Sequence, residues 1–375
     1  MRRGNGEGNI KRRTDGRWEA RVSAGYRDGK PVRKSIYSNT RAEVQRKMTK
    51  VKADFDQGIA PTDDHQTVRD FLERWLEVSA RQRVRPLTYT SYEGHIRLHL
   101  VPALGRIKLS KLSPRDIQAF MNHKVEGGLS PHTVRNIRAT LRVALGQAVR
   151  WGELPRNVAE LVDPPRVPHH EIRPFTPEEA KRFLQAIKGH RLEALYSVAL
   201  ALGLRRGEAL GLHWDDVDLE QGTVSVRFAL QRVNRTLQRV EPKSARSRRT
   251  IAIPDFALKA LREHRARQLE ERLLAGSRWK ETGSVFTTTI GTPLDPDNVN
   301  RNFKPLLEAA GLRPQRFHDL RHACASLLLV QGVSPRVVME TLGHSQISLT
   351  MNTYSHVIPQ LQREAAEQMN SLLTS

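Results

Sequence analysis

The chain has 375 residues, long enough for two or three domains that each bury a core of their own. A hydrophobic fraction of 38% and a charged fraction of 27% are ordinary for a globular protein; the apolar runs are too short for a membrane span and no leader pattern opens the chain, so neither insertion nor secretion is expected. A formal charge of +22, spread along the whole length, implies a polyanionic partner, while the single cysteine, Cys324, excludes an internal disulfide and fits a reducing cytoplasm.

In chain order, residues 16–24 alternate among β-formers, Arg27-Asp28-Gly29-Lys30 reads as a hairpin turn, and residues 32–37 return as a second strand. Thr40-Arg41-Ala42-Glu43 reads as a capping box that opens a helix running to about Asp56, where Gln57-Gly58 ends it. Residues 1–60 carry sixteen Lys and Arg against seven acids, which suits a nucleic-acid reader or a basic appendage without site preference. Residues 63–66 make a polar break. Val68, Phe71, Leu72, Trp75 and Leu76 then recur at helical spacing, and residues 88–98 read as a second helix. Ser113-Pro114 and Ser130-Pro131 each place an N-cap before a proline and open a third and a fourth. The last of these carries Val134, Ile137, Leu141, Leu145 and Val149 on one face with Arg135, Arg138 and Arg142 beside it. A DNA-facing flank and a merely solvated one are both open at this point. Asp163-Pro164-Pro165-Arg166-Val167-Pro168 is a stiff linker. Thr176-Pro177-Glu178-Glu179 caps a new helix, and a larger domain extends from about Arg173 onward.

Within that domain residues 193–202 form an apolar helix stopped at Gly203, and residues 204–210 a second. Arg205 and Glu208 share a face three residues apart, so the carboxylate can fix the guanidinium. Residues 224–230 and 250–253 read as strands, with a basic tip between them that contains Lys243. His318-Asp319-Leu320-Arg321-His322 precedes an apolar helix at 323–330 that holds Cys324 as a core residue. Leu342-Gly343-His344 follows a helix capped by Ser334-Pro335, and Thr353-Tyr354-Ser355-His356 comes soon after. His318 and His322, spaced i, i+4, approach a zinc-protease pattern, but Asp319 stands where a glutamate base would be needed and no third ligand is indicated.

Taken together, these segments resemble the tyrosine recombinase (phage integrase) family over roughly residues 173–357: Leu-Gly-Leu-Arg-x-x-Glu ending at Glu208, with Trp214 and Asp216 behind it, then Lys243, His318-x-x-Arg321, Leu342-Gly343-His344 and Tyr354. The one departure is Leu202, where the family usually has Thr at a position that supports the turn. The resemblance implies a multidomain, mainly helical fold with small β elements: an arm-type DNA-binding domain of three strands and a helix (1–60), a helical SAM-like core-binding domain (65–160), a linker (161–172) and a mixed α/β catalytic domain (173–375). It implies a site-specific recombinase that cleaves and rejoins DNA through a 3′-phosphotyrosyl link, integrating or excising a mobile element at double-stranded attachment sites. Arg205, Lys243, His318, Arg321 and His344 would be catalytic, Tyr354 the nucleophile and Glu208 a support, with no metal or other cofactor. Arg206, His322 and His356 would be supporting neighbours. The expected assembly is a homotetramer on synapsed DNA in the cytoplasm, at the nucleoid of a bacterial host, away from any membrane. A host DNA-bending protein and an excisionase are further candidate partners. The amphipathic segment 359–373 would dock on a neighbouring subunit or pack on its own domain. A type IB topoisomerase and a DNA-binding regulator without activity are the competing readings.

Overall fold

In the computed structural model, which describes residues 9–27, 30–56, 65–168, 173–233, 236–241, 248–343, 366–367 and 369–374, the first segment is an antiparallel sheet in the order β1 (Asn9–Arg12), β2 (Trp18–Arg27), β3 (Lys30–Ser38). β1 has one apolar residue, Ile10, and so no alternation that periodicity could detect; its pairing with β2, Ile10 opposite Ala20, defines it. Helix α1 (Arg41–Asp56) closes a small core of Ala20, Val22, Ile36, Val44 and Met48. The Thr40 hydroxyl caps the Glu43 N–H at 3.3 Å, while the Glu43 carboxylate turns to the Ser38 hydroxyl and ties the helix to the sheet.

The next elements are helical. α2 (Val68–Trp75) continues through a wider π-type stretch, Leu76–Ala80, into α3 (Arg81–Arg83); α4 (Pro86–His95) continues through Ile96–Leu100 into α5 (Val101–Leu104). α6 (Pro114–Glu126) and α7 (Pro131–Arg150) follow. The second predicted helix is thus longer than the 88–98 read from the pattern. Proline at its first position dictates the start. Thr67 with Asp70 and Ser113 with Asp116 form full capping boxes, and the Ser130 hydroxyl accepts from the Thr133 N–H at 3.1 Å. Phe71, Leu72, Leu100, Ile117, Val134, Ile137 and Leu141 make the centre of this core. Of the three arginines beside the apolar face of α7, Arg135 and Arg142 are exposed, whereas Arg138 Nη2 donates to the Ala159 carbonyl at 2.8 Å. Arg138 therefore fastens the end of the module.

The chain divides into two units, Met1–His169 and His170–Ser375, at the end of the proline-rich linker. The second contains α8 (Pro177–Ala186), α9 (Glu193–Leu202), α10 (Arg206–Leu210), β4 (Val217–Asp218), β5 (Thr223–Val226), β6 (Ala229–Val233), β7 (Thr236–Val240), β8 (Arg249–Ala252), α11 (Asp255–Ala275), α12 (Pro296–Ala309), α13 (Asp319–Val330) and α14 (Pro335–Leu342). β4, β5 and β8 form one antiparallel sheet; β6 and β7 form a separate hairpin. The single strand expected at 224–230 is therefore two. The break falls at Arg227-Phe228, where Arg227 reaches to Asp216 (Nε–Oδ1 2.5 Å) and the Arg239 guanidinium lies 3.9 Å over the Phe228 ring. Apolar α9 runs through the core, with Tyr196 packed among Phe183, Phe303 and Phe317. Among the described residues no helix is long and apolar enough to cross a membrane.

Candidate active site

Gly203 organises the site. It ends α9 in the left-handed region at φ 60°, a conformation that disfavours any residue with a Cβ. A Cβ there would also lie 2.4 Å from Leu342 Cδ2 and 3.2 Å from Cys324 Sγ, so α13 and α14 can approach only a glycine. The Gly203 carbonyl accepts from Arg321 Nη1 at 2.7 Å. Leu202, at the family's usual Thr position, is buried in the core.

Two residues on, Arg205 precedes α10 as its cap; the helix starts two residues later than the sequence pattern suggested. Its backbone N–H donates to Glu208 Oε2 at 3.1 Å and its Nη1 to Oε1 at 2.6 Å. The expected pairing is present, and it is no surface ion pair, because the Glu208 side chain is 4% exposed. Arg205 Nη2 reaches the Gly343 carbonyl at 3.4 Å. The Arg205 side chain as a whole is 39% exposed.

Arg321 lies in the first turn of α13, which starts at Asp319, four residues before the helix read from the sequence. Arg316 and Asp319 brace that start, through the Arg316 N–H at 2.8 Å and Nη2 at 2.9 Å. Arg321 is 2% exposed. His318 is the N-cap. Although its ring reaches solvent, desolvation by the surrounding protein and then the charge of Arg321 lower its pKa, with a smaller contribution from Arg205 and opposition from Asp319. His318 is therefore neutral near pH 7 and able to take up a proton. Burial, followed by His318, takes His322 down to about 4; the two rings meet edge to face at 5.1 Å. Among the described residues no group of three metal-type ligands includes them.

The structure thus brings Arg205, Glu208 and Arg321 together at the turn after α9, with His318 close enough for both arginines to act on its charge. Lys243, His344, Tyr354 and His356 lie outside the described residues. Arg206 Nη1 donates to the Pro296 carbonyl at 3.2 Å and ties α10 to α12. Trp214 Nε1 donates to Gln268 Oε1 at 2.7 Å, and buried Asp216 receives Arg227 and Arg239, which hold the β6–β7 hairpin. One residue of the site escapes sequence reasoning. Arg249, 8% exposed, donates from Nη2 to Glu208 Oε2 at 3.1 Å and from Nε to the Thr341 carbonyl at 2.6 Å. In the sequence it is one basic residue in a basic run, with no spacing to single it out. Burial works to raise the Glu208 pKa, but Arg249 first and Arg205 next hold the carboxyl below its ordinary value.

The phage integrase family model matches residues 173–360, and that of the phage integrase N-terminal SAM-like domain matches residues 67–125. The chain belongs to the phage integrase family of tyrosine recombinases. A XerC-like tyrosine recombinase of Caldanaerobacter subterraneus subsp. tengcongensis is 35% identical over 364 residues, covering 92% of this chain and 93% of the relative. The fold is also that of the Tn1549 transposon integrase solved with transposon right end DNA (22% identity, TM-score 0.68, 83% of this chain and 100% of that one). A lambda integrase tetramer on a Holliday junction aligns with a TM-score of 0.57 at 18% identity, over 94% of this chain and 96% of that one. This recombinase is accordingly an enzyme that breaks and rejoins DNA. The family expectation drawn from the motifs, and the helical SAM-like module upstream of the catalytic domain, are both borne out.

Proposed function

We propose that the recombinase cleaves attachment-site DNA with Tyr354 and integrates or excises its element as a homotetramer on the synapsed duplexes. The observation that carries this reading is the mutual support of the two arginines. Arg321 rests on the Gly203 carbonyl beside Arg205, and Arg205 reaches the Gly343 carbonyl next to His344. Two guanidiniums tied to one turn suit a single scissile phosphate, whose two non-bridging oxygens they would clamp with planar donors. Their hold strengthens as the phosphorane gathers charge, which lowers the barrier.

A phenol with a pKa of about 10 is a weak nucleophile near neutrality. His318, neutral at that pH, takes the Tyr354 proton as the Tyr354 oxygen bonds to phosphorus. The bond from phosphorus to the 5′-oxygen breaks, and Lys243 supplies the proton that oxygen needs. His344 hydrogen-bonds the phosphate and Glu208 holds Arg205. The 3′-phosphotyrosyl link keeps the energy of the broken bond, so the 5′-hydroxyl of a second strand reverses the step onto new DNA. The lambda integrase tetramer on a Holliday junction supports the same stoichiometry here. In this reading residues 1–60 hold arm-type sites and 65–160 the core site.

A duplex nicked near the cleavage point loses a short fragment on cleavage and traps the covalent adduct. Wild-type protein is expected to form it and Tyr354→Phe to form none; an adduct of equal yield on both would remove Tyr354 from its role. Two attachment sites together should yield recombinants, whereas relaxation of supercoils without exchange would favour topoisomerase action.

A further inference from the structure

We propose that Arg249 is a positioning residue for strand cleavage, holding the Glu208 carboxylate against Arg205 and fixing the end of α14 just before His344. The inference rests on the assignment of Arg205 made above, and it adds a residue that neither the motifs nor the family match marks out.

The geometry separates two arginines that share one carboxylate. Arg205 contacts Glu208 Oε1 with a side chain 39% exposed. Arg249 contacts Glu208 Oε2 from the other side with a side chain 8% exposed, and its Nε and Nη2 are taken up by the Thr341 carbonyl, at 2.6 Å, and by Glu208. Its guanidinium also lies against Gly343, where a Cβ would come within 2.9 Å of Nη1 and 3.2 Å of Cζ. Gly343 is left-handed at φ 65°, and its carbonyl faces Arg205 Nη2. The Leu-Gly of the Leu-Gly-His motif is thus shaped around a pair of guanidiniums, one part-exposed and one nearly buried.

Physical chemistry favours this division. Two guanidiniums near each other repel, and a buried one is costly unless paired. An ionised Glu208 between them relieves both problems, and each arginine in turn keeps it ionised. Arg249 needs diverging donors, Nε toward α14 and Nη2 toward Glu208. A lysine ammonium, one point charge on a flexible stem, cannot serve both. β8 begins at Arg249 and carries this anchor at the strand end nearer Lys243 in sequence, while Arg239 on β7 is fastened to Asp216 and to the Gly211 carbonyl. The strands before and after the Lys243 segment are therefore each secured by an arginine on a buried carboxylate.

The test compares wild type, Arg249→Lys, Arg249→Gln and the control Arg248→Gln, whose exposed arginine pairs with exposed Glu241. Three quantities are read in full-length protein: melting temperature, affinity for an intact core-site duplex, and the single-turnover rate of adduct formation on the nicked duplex at saturating protein. Arg249→Lys and Arg249→Gln are expected to bind within about threefold of wild type while forming adduct roughly 100-fold more slowly; Arg248→Gln is expected to match wild type in rate. Combining Arg249→Gln with Glu208→Gln should cost no more than the worse single change, because the two act as one unit. Near wild-type rates for Arg249→Lys, or losses that multiply in the double variant, would overturn the proposal. So would melting of both Arg249 variants below the assay temperature, which would make the residue a support of the fold. An inactive wild type defeats the site assignment itself, whereas active wild type with an undiminished Arg249→Lys defeats only this inference.

Discussion

Gly203 does two jobs that a side chain would prevent: it turns left-handed to end α9, and it lets Leu342 and Cys324 close over it. Gly203→Ala is expected to destabilise the protein by about 2–4 kcal/mol, from the left-handed backbone and the overpacking together. Thermal unfolding measures this, and the added change Leu342→Ala should recover part of the packing share; an unchanged melting temperature for Gly203→Ala would refute the close approach. Arg205→Lys keeps the charge but loses the paired grip on Glu208, and adduct formation is expected to fall by roughly two orders of magnitude while duplex affinity changes little. At this scale the sequence is legible where partners are local. Arg205 and Glu208 declare themselves by spacing. Gly203 reads only as a helix stop, because Leu342 and Cys324 arrive from elements far along the chain. Arg249 is silent for the same reason: its partners, Glu208 and Thr341, are remote, and its neighbours Arg246 and Arg248 look identical to it on paper.

Helix starts were the most readable elements, since a Ser or Thr cap before proline acts within one turn: Ser113, Ser130, Thr176 and Ser334 all cap as expected. The strand break at Arg227-Phe228 was not readable, because Asp216 imposes it from another element. α11 and α12 also escaped the pattern reading. α11 mixes buried Leu258, Leu261, His264 and Gln268 with charged residues at close intervals, so its apolar stripe is thin. His264 gives this helix a pH signature. Its Nε2 lies 2.7 Å from the Val285 carbonyl and its Nδ1 3.3 Å from Arg267 Nη2, partners that suit a neutral ring donating to one and accepting from the other. Burial outweighs the Val285 bond and takes its pKa from 6.5 to about 4. The unfolded chain therefore binds a proton that the folded one refuses. Stability from this residue is intact above pH 6.5, declines as pH falls toward 4, and is then fully lost, a change on the order of 3 kcal/mol. Melting curves across that window should fall less steeply in His264→Gln than in wild type. Equal slopes would show that the ring is not responsible.

For the molecule as a whole, the charge of +22 demands strong ionic-strength dependence of DNA binding. Affinity for a duplex is expected to drop by roughly a thousandfold between 50 and 200 mM salt if six or more phosphates are neutralised. A flat titration would mean that the positive charge is not spent on the backbone. The division into two units is legible from punctuation, with a proline-rich stretch at the seam, whereas the oligomer is not written in any local pattern. Near the C-terminus, Met369, Leu372 and Leu373 are exposed at 57%, 74% and 74% on a helical stretch. Removing residues 359–375 is expected to weaken tetramer formation on paired sites by at least tenfold and to leave binding of a single core site nearly unchanged; intact synapsis would place that segment on its own domain. Finally, because Arg321 rests on a carbonyl contributed by the turn after α9, it is set only when the chain has folded back on itself, whereas Arg205 is held by Glu208 within one turn. A nascent polypeptide that has left the ribosome only as far as α10 displays Arg205 without its counterpart. On the proposed site, a truncated product ending before α13 lacks Arg321 and is expected to bind DNA without cutting it.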